Sequence, residues 1–347
     1  MTILSTLWYF LVFLLIAGYF VLDGFDLGAG TLYPFVAKNE REQAIVRRAL
    51  GPVWDGNEVW LLTAGGALFA AFPDAYATTF SGFYLAIMLV LFALIVRAVS
   101  FEFWAADSKW RPVWNVCFFL GSLLPALLFG VAAGNVVAGI PMDMAGNYAG
   151  VPLLGLITPF TLLTGVLGLS MFIAAGACWL SLKAPLNSEL RARVQAIRMP
   201  AQVVSIVLFV LLTICVLTGF GSVNTPPEHL AALQWILAAL FLVGIITSLV
   251  IGRKDASSTK GDLWAFLTQS SAALFLVFLG AASLFPVLVN ASADSVGAAI
   301  TIMSAGSSEL SLFCMTVILC IGLPLVLVYH VIIYRTFRGR VSEADIS

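Results

Sequence analysis

Two pairs of carboxylates stand inside apolar stretches in the first part of the sequence. Asp23 and Asp26 are three residues apart, and Asp55 and Glu58 repeat this spacing. Residues three apart lie on one face of a helix, so each pair places two acids side by side. An acid at the centre of a membrane costs about 2.5 to 3.5 kcal/mol even on insertion scales, so both pairs are candidate functional residues.

A base and a further acid close the next apolar stretch, at Arg97 and Glu102. A row of carboxylates that opens on one side of a membrane can relay protons from that side. We therefore predict a proton-uptake path on the cytoplasmic side of the first three membrane helices. Its predicted residues are Asp23, Asp26, Asp55, Glu58, Arg97 and Glu102.

Simpler interpretations of part of this set stay open. Asp55 or Asn57 could cap the second membrane helix after Pro52. Arg97 is either the counter-ion of one of the four carboxylates or an arginine that extends to the membrane surface. Neither interpretation covers the first acid pair, which falls in mid-helix. The acids assigned to loops and the tail are predicted to be solvated: Asp143, Glu189, Glu228, Asp255, Asp262, Asp294, Glu343 and Asp345.

The elements that must position these residues are membrane helices. Of the 347 residues, 61% are hydrophobic and 10% are charged, and the mean hydropathy is +1.04. An ordinary soluble domain has about 25% charged residues. We predict an all-α, polytopic membrane protein that forms a single integral membrane domain over residues 1–347. The net charge of -1 gives no basic field for nucleic acid, so membrane lipid is the expected surrounding.

The spans follow from the length that a membrane helix needs, which is about 20 mostly apolar residues. Nine stretches meet this requirement, and alternate loops between them hold all 17 basic residues. Lys and Arg collect in cytoplasmic loops, so the amino terminus is predicted outside and the carboxyl terminus in the cytoplasm. The predicted spans are residues 7–36, 53–73, 76–98, 113–139, 152–182, 201–221, 231–251, 263–289 and 310–334.

Cysteine and histidine leave little scope for a metal or cofactor bound by this chain alone. The five cysteines fall inside apolar stretches without a C-x-x-C pair, which argues against disulfides and zinc. The two histidines, His229 and His330, offer few axial ligands for haem. We therefore expect that this chain by itself binds no cofactor and no metal.

Several motifs make the sequence similar to subunit II of the cytochrome bd quinol oxidases. Residues 51–73, GPVWDGNEVWLLTAGGALFAAFP, are very close to that family's signature, and residues 23–28, DGFDLG, match its first helix. Residues 81–84, SGFY, residues 130–135, GVAAGN, and residues 339–346, GRVSEADI, also match. The likeness therefore runs along the whole chain.

The resemblance implies two four-helix bundles plus one peripheral helix in the bacterial cytoplasmic (inner) membrane. It implies haem b and haem d, the quinol site and the oxygen-reducing centre in a haem-bearing partner, subunit I. No catalytic residue is then expected in this chain. Some members hold a structural quinone in this subunit, and a small accessory subunit is a further candidate partner. The family's proton route corresponds here to Asp23, Asp26, Asp55, Arg97 and Glu102.

Three function hypotheses result. The first is a haem-free, proton-conducting subunit that stabilises subunit I of a terminal oxidase, whose complex oxidises quinol and reduces oxygen to water. The alternative is a secondary transporter that binds a proton or another cation. Such transporters often have broken helices in both halves, whereas the membrane acids here occur only in the first three spans. The third is a structural subunit whose polar residues bind a partner.

Overall fold

A computed structural model of the chain describes residues 3–220, 230–254 and 258–342. The described chain is mainly helical, and two short 3-10 turns accompany the α-helices. In chain order the helices are α1 (Ile3–Leu22), α2 (Gly24–Val36), α3 (Glu40–Leu50), α4 (Trp54–Ala71), α5 (Pro73–Gly82), α6 (Tyr84–Ala106), α7 (Arg111–Ala138), α8 (Pro159–Lys183), α9 (Glu189–Thr218), α10 (Ala231–Lys254), α11 (Thr259–Leu284) and α12 (Glu309–Thr336).

Eight helical stretches of the described chain are long and apolar enough to cross a membrane, judged by length and composition, and α1 with α2 counts as one of them. The predicted second span corresponds to α4, which is not among the eight. Its 18 residues rise about 27 Å, slightly less than the roughly 30 Å hydrocarbon core. Its two acids, its asparagine and its glycines lower its hydropathy. The count of nine spans, their orientation and the bundle arrangement therefore remain predictions.

Several helix boundaries differ from the predicted spans because apolar content alone does not show where a helix begins. The first span is interrupted at Asp23, between α1 and α2. Pro73 starts a separate short helix, α5, so α6 begins later than predicted. α9 begins at Glu189, well before residue 201, because the Ser188 side chain accepts a hydrogen bond from its first turn. Capping of this kind starts a helix in polar sequence outside the apolar stretch.

A small antiparallel sheet departs from the all-α prediction. β1 (Val287–Val289) follows α11 and pairs with β2 (Ile300–Thr301), with Val289 opposite Ile300. Both of these residues belong to a buried apolar cluster that also contains residues of α1. The sheet therefore closes one end of the core.

Most helices pack beside their neighbours in the sequence. α6 packs on α7, α7 on α8, α8 on α9, and α10 on α11, while α1 packs on α4 and α11. α12 touches α1 and α4, and its buried residues are Leu312 and His330. Most of the α12 surface is therefore apolar and uncovered by the rest of the described chain.

α2 lies between α7 and α8 and is the most deeply enclosed helix of the first half. Every residue from Gly24 to Tyr33 is buried. At Gly28 a Cβ atom would overlap the carbonyl of Phe172 in α8, so the two backbones touch. Small residues such as Gly28 let two helix backbones approach this closely. The close contact fixes the rotation of α2 and hence the direction of the Asp26 side chain.

Replacing Gly28 with alanine is expected to destabilise the protein by about 1 to 3 kcal/mol, because the backbone of α8 must move to admit a methyl group. The measurement is the thermal unfolding midpoint of the purified protein. Gly280 is the matched control, since its Cβ position in α11 has nothing within 4 Å. Equal midpoints for Gly28→Ala and Gly280→Ala would contradict the packing argument.

Candidate functional site

Arg97 of α6 joins two of the predicted acids in the protein interior. Its guanidinium donates to Asp23 through both terminal nitrogens at 3.2 Å and to Glu58 at 2.8 Å. Arg97 is 1% exposed and Asp23 is fully buried, whereas the side chain of Glu58 is 25% exposed to solvent. The counter-ion interpretation of Arg97 is therefore confirmed, and its extension to the membrane surface is wrong.

Asp26 lies beside this ion pair in a separate hydrogen-bond network. The Asn57 amide donates to Asp26 Oδ2 at 2.7 Å and to the Leu22 carbonyl at 2.9 Å. Tyr334 of α12 donates to Asn57 Oδ1 at 3.2 Å. Asp26 is fully buried, and its Oδ1 has no hydrogen-bond donor within the described part of the chain. Asp23, Asp26, Glu58 and Arg97 are called the Arg97 cluster below.

Three helices bring the Arg97 cluster together. The interruption at Asp23 leaves the backbone hydrogen-bonded, since its N–H donates to Tyr19 and its carbonyl accepts from Leu27. Arg97 is held where α6 lies against α7, because a Cβ on Gly121 would come within 2.8 Å of the Arg97 Cβ. α4 supplies the third side through Glu58 and Asn57. The cluster therefore depends on how α2, α4 and α6 are packed rather than on one local motif.

α12 contributes two residues that were not among the predicted site residues, His330 and Tyr334. Trp60 of α4 donates to His330 Nε2 at 3.3 Å, and His330 Nδ1 lies 2.9 Å from the Val326 carbonyl. Nε2 accepts, so Nδ1 carries the proton and donates to Val326. Both ring nitrogens are engaged, so His330 does not fit an axial haem ligand here, and His229 lies outside the described residues. His330 and Tyr334 are four residues apart, a spacing that could have indicated one helix face.

The other two predicted site residues lie at the surface. Asp55 in the first turn of α4 and Glu102 in α6 are exposed, and within the described residues neither carboxylate makes a hydrogen bond or an ion pair. The interpretation of Asp55 or Asn57 as the helix cap is wrong. The cap position is Val53, which has no side-chain cap, and Asn57 is instead bound to Asp26.

The prediction that Asp262 is a solvated loop residue is wrong. It lies in the first turn of α11, is fully buried, and accepts from three arginines: Arg191 at 2.6 Å, Arg340 at 3.0 Å and Arg198 at 3.4 Å. These four residues are called the Asp262 cluster. A carboxylate so buried is tolerated because it is paired and hydrogen-bonded. No local signal marked it, since its partners are distant in the sequence.

Among the other acids predicted to be solvated, Glu189 and Asp294 are exposed, and Asp143 lies in the loop after α7. Backbone and side-chain hydrogen bonds from Asn147 hold the pKa of Asp143 below its ordinary value. Glu228, Asp255, Glu343 and Asp345 lie outside the described residues.

The described ranges contain no group of three or more His, Cys, Asp or Glu residues that could hold a metal ion. The five cysteines are free. The buried ionisable groups of the described chain are joined by ion pairs and hydrogen bonds. Together, the fold and the Arg97 cluster define a polytopic helical membrane protein with ionisable groups kept in its interior.

The comparisons with known proteins identify the family. The sequence profile of the cytochrome bd terminal oxidase subunit II matches residues 4–337, and the chain belongs to this family. It is 34% identical over 379 residues to the cytochrome bd-I ubiquinol oxidase subunit 2 of Escherichia coli (strain K12), covering 99% of this chain and 97% of that protein. It is 33% identical over 356 residues to the cytochrome bd ubiquinol oxidase subunit 2 of Bacillus subtilis (strain 168), covering 99% of both.

The solved structures add a match in fold. The bd oxidase from Geobacillus thermodenitrificans contains a chain that superposes with a TM-score of 0.77 at 17% identity, covering 97% of this chain and 99% of that one. The chain is therefore a subunit of a quinol oxidase complex, with a partner subunit, and a multi-pass protein of the bacterial inner membrane. This membership favours the oxidase hypothesis over the secondary transporter.

Proposed function

We propose that this chain is the haem-free subunit that carries protons from the cytoplasm toward the redox centre of its partner and stabilises that partner. The observation that supports this role is the Arg97 cluster, in which Asp23 and Glu58 share one guanidinium and a third carboxylate, Asp26, lies buried beside them. With all three ionised, the cluster carries an excess of negative charge. Charge in a low-dielectric interior is costly, so the cluster favours the uptake of protons.

The exposure of the acids suggests the direction of the path. Asp55 is exposed, Glu58 one helical turn further is partly exposed, and Asp23 is buried behind Arg97. Arg97 stays charged at all relevant pH values, so it orients Asp23 and Glu58 and the carboxylates carry the proton. We assign Glu102 to the entrance of the path because it is exposed in α6.

Asp26 supplies the inner end of the proposed path. Its Oδ1, which has no hydrogen-bond donor in the described chain, can receive a proton, and its Oδ2 is held by Asn57, which in turn binds Tyr334.

Oxygen reduction to water consumes protons, and quinol oxidation releases them. If uptake occurs from the cytoplasm and release occurs outside, charge is separated across the membrane without a pump. The haem groups that perform the redox steps are assigned to the partner subunit.

Purification with and without the partner tests the division of cofactors. We expect visible haem bands in the complex and none in this chain purified alone, because His330 has both nitrogens engaged. The measurement is the visible spectrum after reduction, with protein concentration matched between the samples. Haem bands in the chain purified alone would contradict the haem-free assignment.

Replacing Asp55 with asparagine tests the entrance of the proposed path. We expect oxygen consumption by the complex to fall roughly tenfold, less than the loss from a buried carrier, because water can partly replace an exposed acid. The measurement is quinol-driven oxygen uptake at equal haem content. Glu189→Asn is the control, since Glu189 is also an exposed acid in a first helical turn. Full turnover in Asp55→Asn would remove Asp55 from the path.

A further inference from the structure

A cavity of about 170 Å³ lies where α3, α8 and the segment after α12 meet. Its three charged lining residues are all basic: Arg48, Lys183 and Arg340. Trp179 and Val53 are among the apolar residues that complete the wall, and none of its described lining residues is acidic. The cavity has the volume of about six water molecules at roughly 30 Å³ each. It therefore offers a compact space with one sign of charge.

Lys183 is the strongest sign that this cavity takes a negative charge. The residue is 6% exposed, and its ammonium donates to the carbonyls of Phe337 and Gly339 and lies 4.7 Å from the centre of the Trp179 ring. All of these partners are neutral, and Lys183 forms no ion pair within the described residues. A buried cation without an anion is strongly disfavoured. Within the described residues, the positive charge of Lys183 therefore has no negative counterpart.

The neighbouring Asp262 cluster does not supply the missing charge. Its carboxylate is already shared by three guanidinium groups, one of which belongs to Arg340. The other terminal nitrogen of Arg340 donates to the carbonyls of Ser181 and Ala184, and its Nε is buried with no partner in the described chain. Among the described residues, this region thus holds more buried positive charge than negative charge.

The adjoining backbone also favours an anion. α4 begins beside the cavity, with Val53 at its cap position and no side chain to bind its first N–H groups. The amino-terminal end of a helix carries partial positive charge and free N–H donors. Phosphate groups commonly bind at such ends when basic side chains are near.

We propose that this cavity binds a phosphate group, held by Lys183 and Arg340 inside and by Arg48 at the exposed mouth. A phosphate presents several oxygens to the ammonium and guanidinium donors, and its charge compensates Lys183. The group has two sources: the headgroup of an anionic phospholipid or free phosphate. The cavity lies at the end of the helices where the basic residues collect, which is where basic pockets bind lipid headgroups.

The purified oxidase complex in phosphate-free buffer tests the proposal. Its thermal unfolding midpoint is measured with inorganic phosphate against sodium chloride of equal ionic strength. In a second arm, it is measured in nanodiscs of phosphatidylcholine with or without phosphatidylglycerol. We expect a rise of at least about 2 °C with one phosphate source. A response to inorganic phosphate assigns the free ion, and a response to phosphatidylglycerol alone assigns the lipid headgroup.

Three variants locate the response. Lys183→Met should raise the half-saturating phosphate concentration about tenfold, since a charge-assisted hydrogen bond is lost. Arg48→Gln should raise this concentration only about threefold, because the charge of Arg48 is more exposed to solvent. Arg338→Gln is the matched control, an exposed arginine of the same segment that does not line the cavity. If Lys183→Met fails to assemble, Arg48→Gln together with native mass spectrometry of bound phosphate or lipid decides the question.

Two results would overturn the proposal. One is the absence of any shift with either phosphate source in the wild-type complex. In that case the counter-charge comes from elsewhere, for which Glu343 and Asp345 are candidates by sequence. The other is an equal response in Arg48→Gln, Lys183→Met and Arg338→Gln, which would place the effect outside this cavity.

Discussion

Replacing Asp26 with asparagine is expected to lower oxygen consumption by the complex about 100-fold while the complex stays assembled. Proton transfer by a positioned side chain contributes roughly 10²- to 10⁴-fold to a rate, and an amide cannot take up and release the proton. Water replaces a buried carrier poorly, and Asp26 is fully buried. Assembly should survive because the asparagine oxygen can still accept from Asn57, as Asp26 Oδ2 does at 2.7 Å.

The measurement for Asp26 is quinol-driven oxygen uptake together with proton uptake followed by a pH dye, both at equal haem content. Asp294→Asn is the control, because Asp294 is exposed in a loop. Asp26→Glu keeps the carboxyl group and should retain more activity than Asp26→Asn. Normal turnover with normal proton uptake in Asp26→Asn would exclude Asp26 from the path.

Replacing Arg97 with methionine is expected to prevent accumulation of a folded complex. The change leaves Asp23 fully buried without its cation, and breaking a buried pair costs about 3 to 5 kcal/mol. Proteins are stable by only about 5 to 15 kcal/mol, so this loss is a large part of the total. Arg97→Lys should recover only part of the stability, because an ammonium cannot reproduce the fork that contacts both Asp23 and Glu58.

The measurement for Arg97 is the yield and thermal unfolding midpoint of the complex in isolated membranes. Arg111→Met is the matched control, since its partner Glu40 is 72% exposed and such pairs contribute about 0 to 1 kcal/mol. The double variant Asp23→Asn with Arg97→Met removes both charges and should restore much of the yield. Equal yields of Arg97→Met and Arg111→Met would show that the buried pair is not required.

Much of the Arg97 cluster could be predicted because its signals are local. Asp23 and Asp26 are three residues apart in a strongly apolar stretch, and their burial follows from that context. The counter-ion interpretation of Arg97, at the end of another apolar stretch, had the same physical basis, although an arginine extending to the membrane surface was equally compatible with the sequence. The sequence could not show which acids it would meet, since the contact with Glu58 depends on where the tertiary fold places α4 relative to α6.

The Asp262 cluster could not be predicted because its contacts are distant in the chain. Arg191 and Arg198 are seven residues apart on one face of α9, and Arg340 comes from the segment after α12. Each of these arginines alone is typical of a cytoplasmic loop. For Asp55, the sequence correctly indicated that a helix starts after Pro52, and an acid at a helix start is often a cap. The helix nevertheless begins at Trp54 without a side-chain cap.

The two charge clusters have opposite balance, with three acids for one arginine in the first and three arginines for one acid in the second. Hydronium is drawn toward the first and repelled by the second, as fixed arginines repel it in water channels. If the proposed path carries protons, we expect the α8 to α11 half to act as electrical insulation beside it. A respiratory membrane that admits protons at one gate keeps its voltage only if the rest of the protein does not short-circuit it.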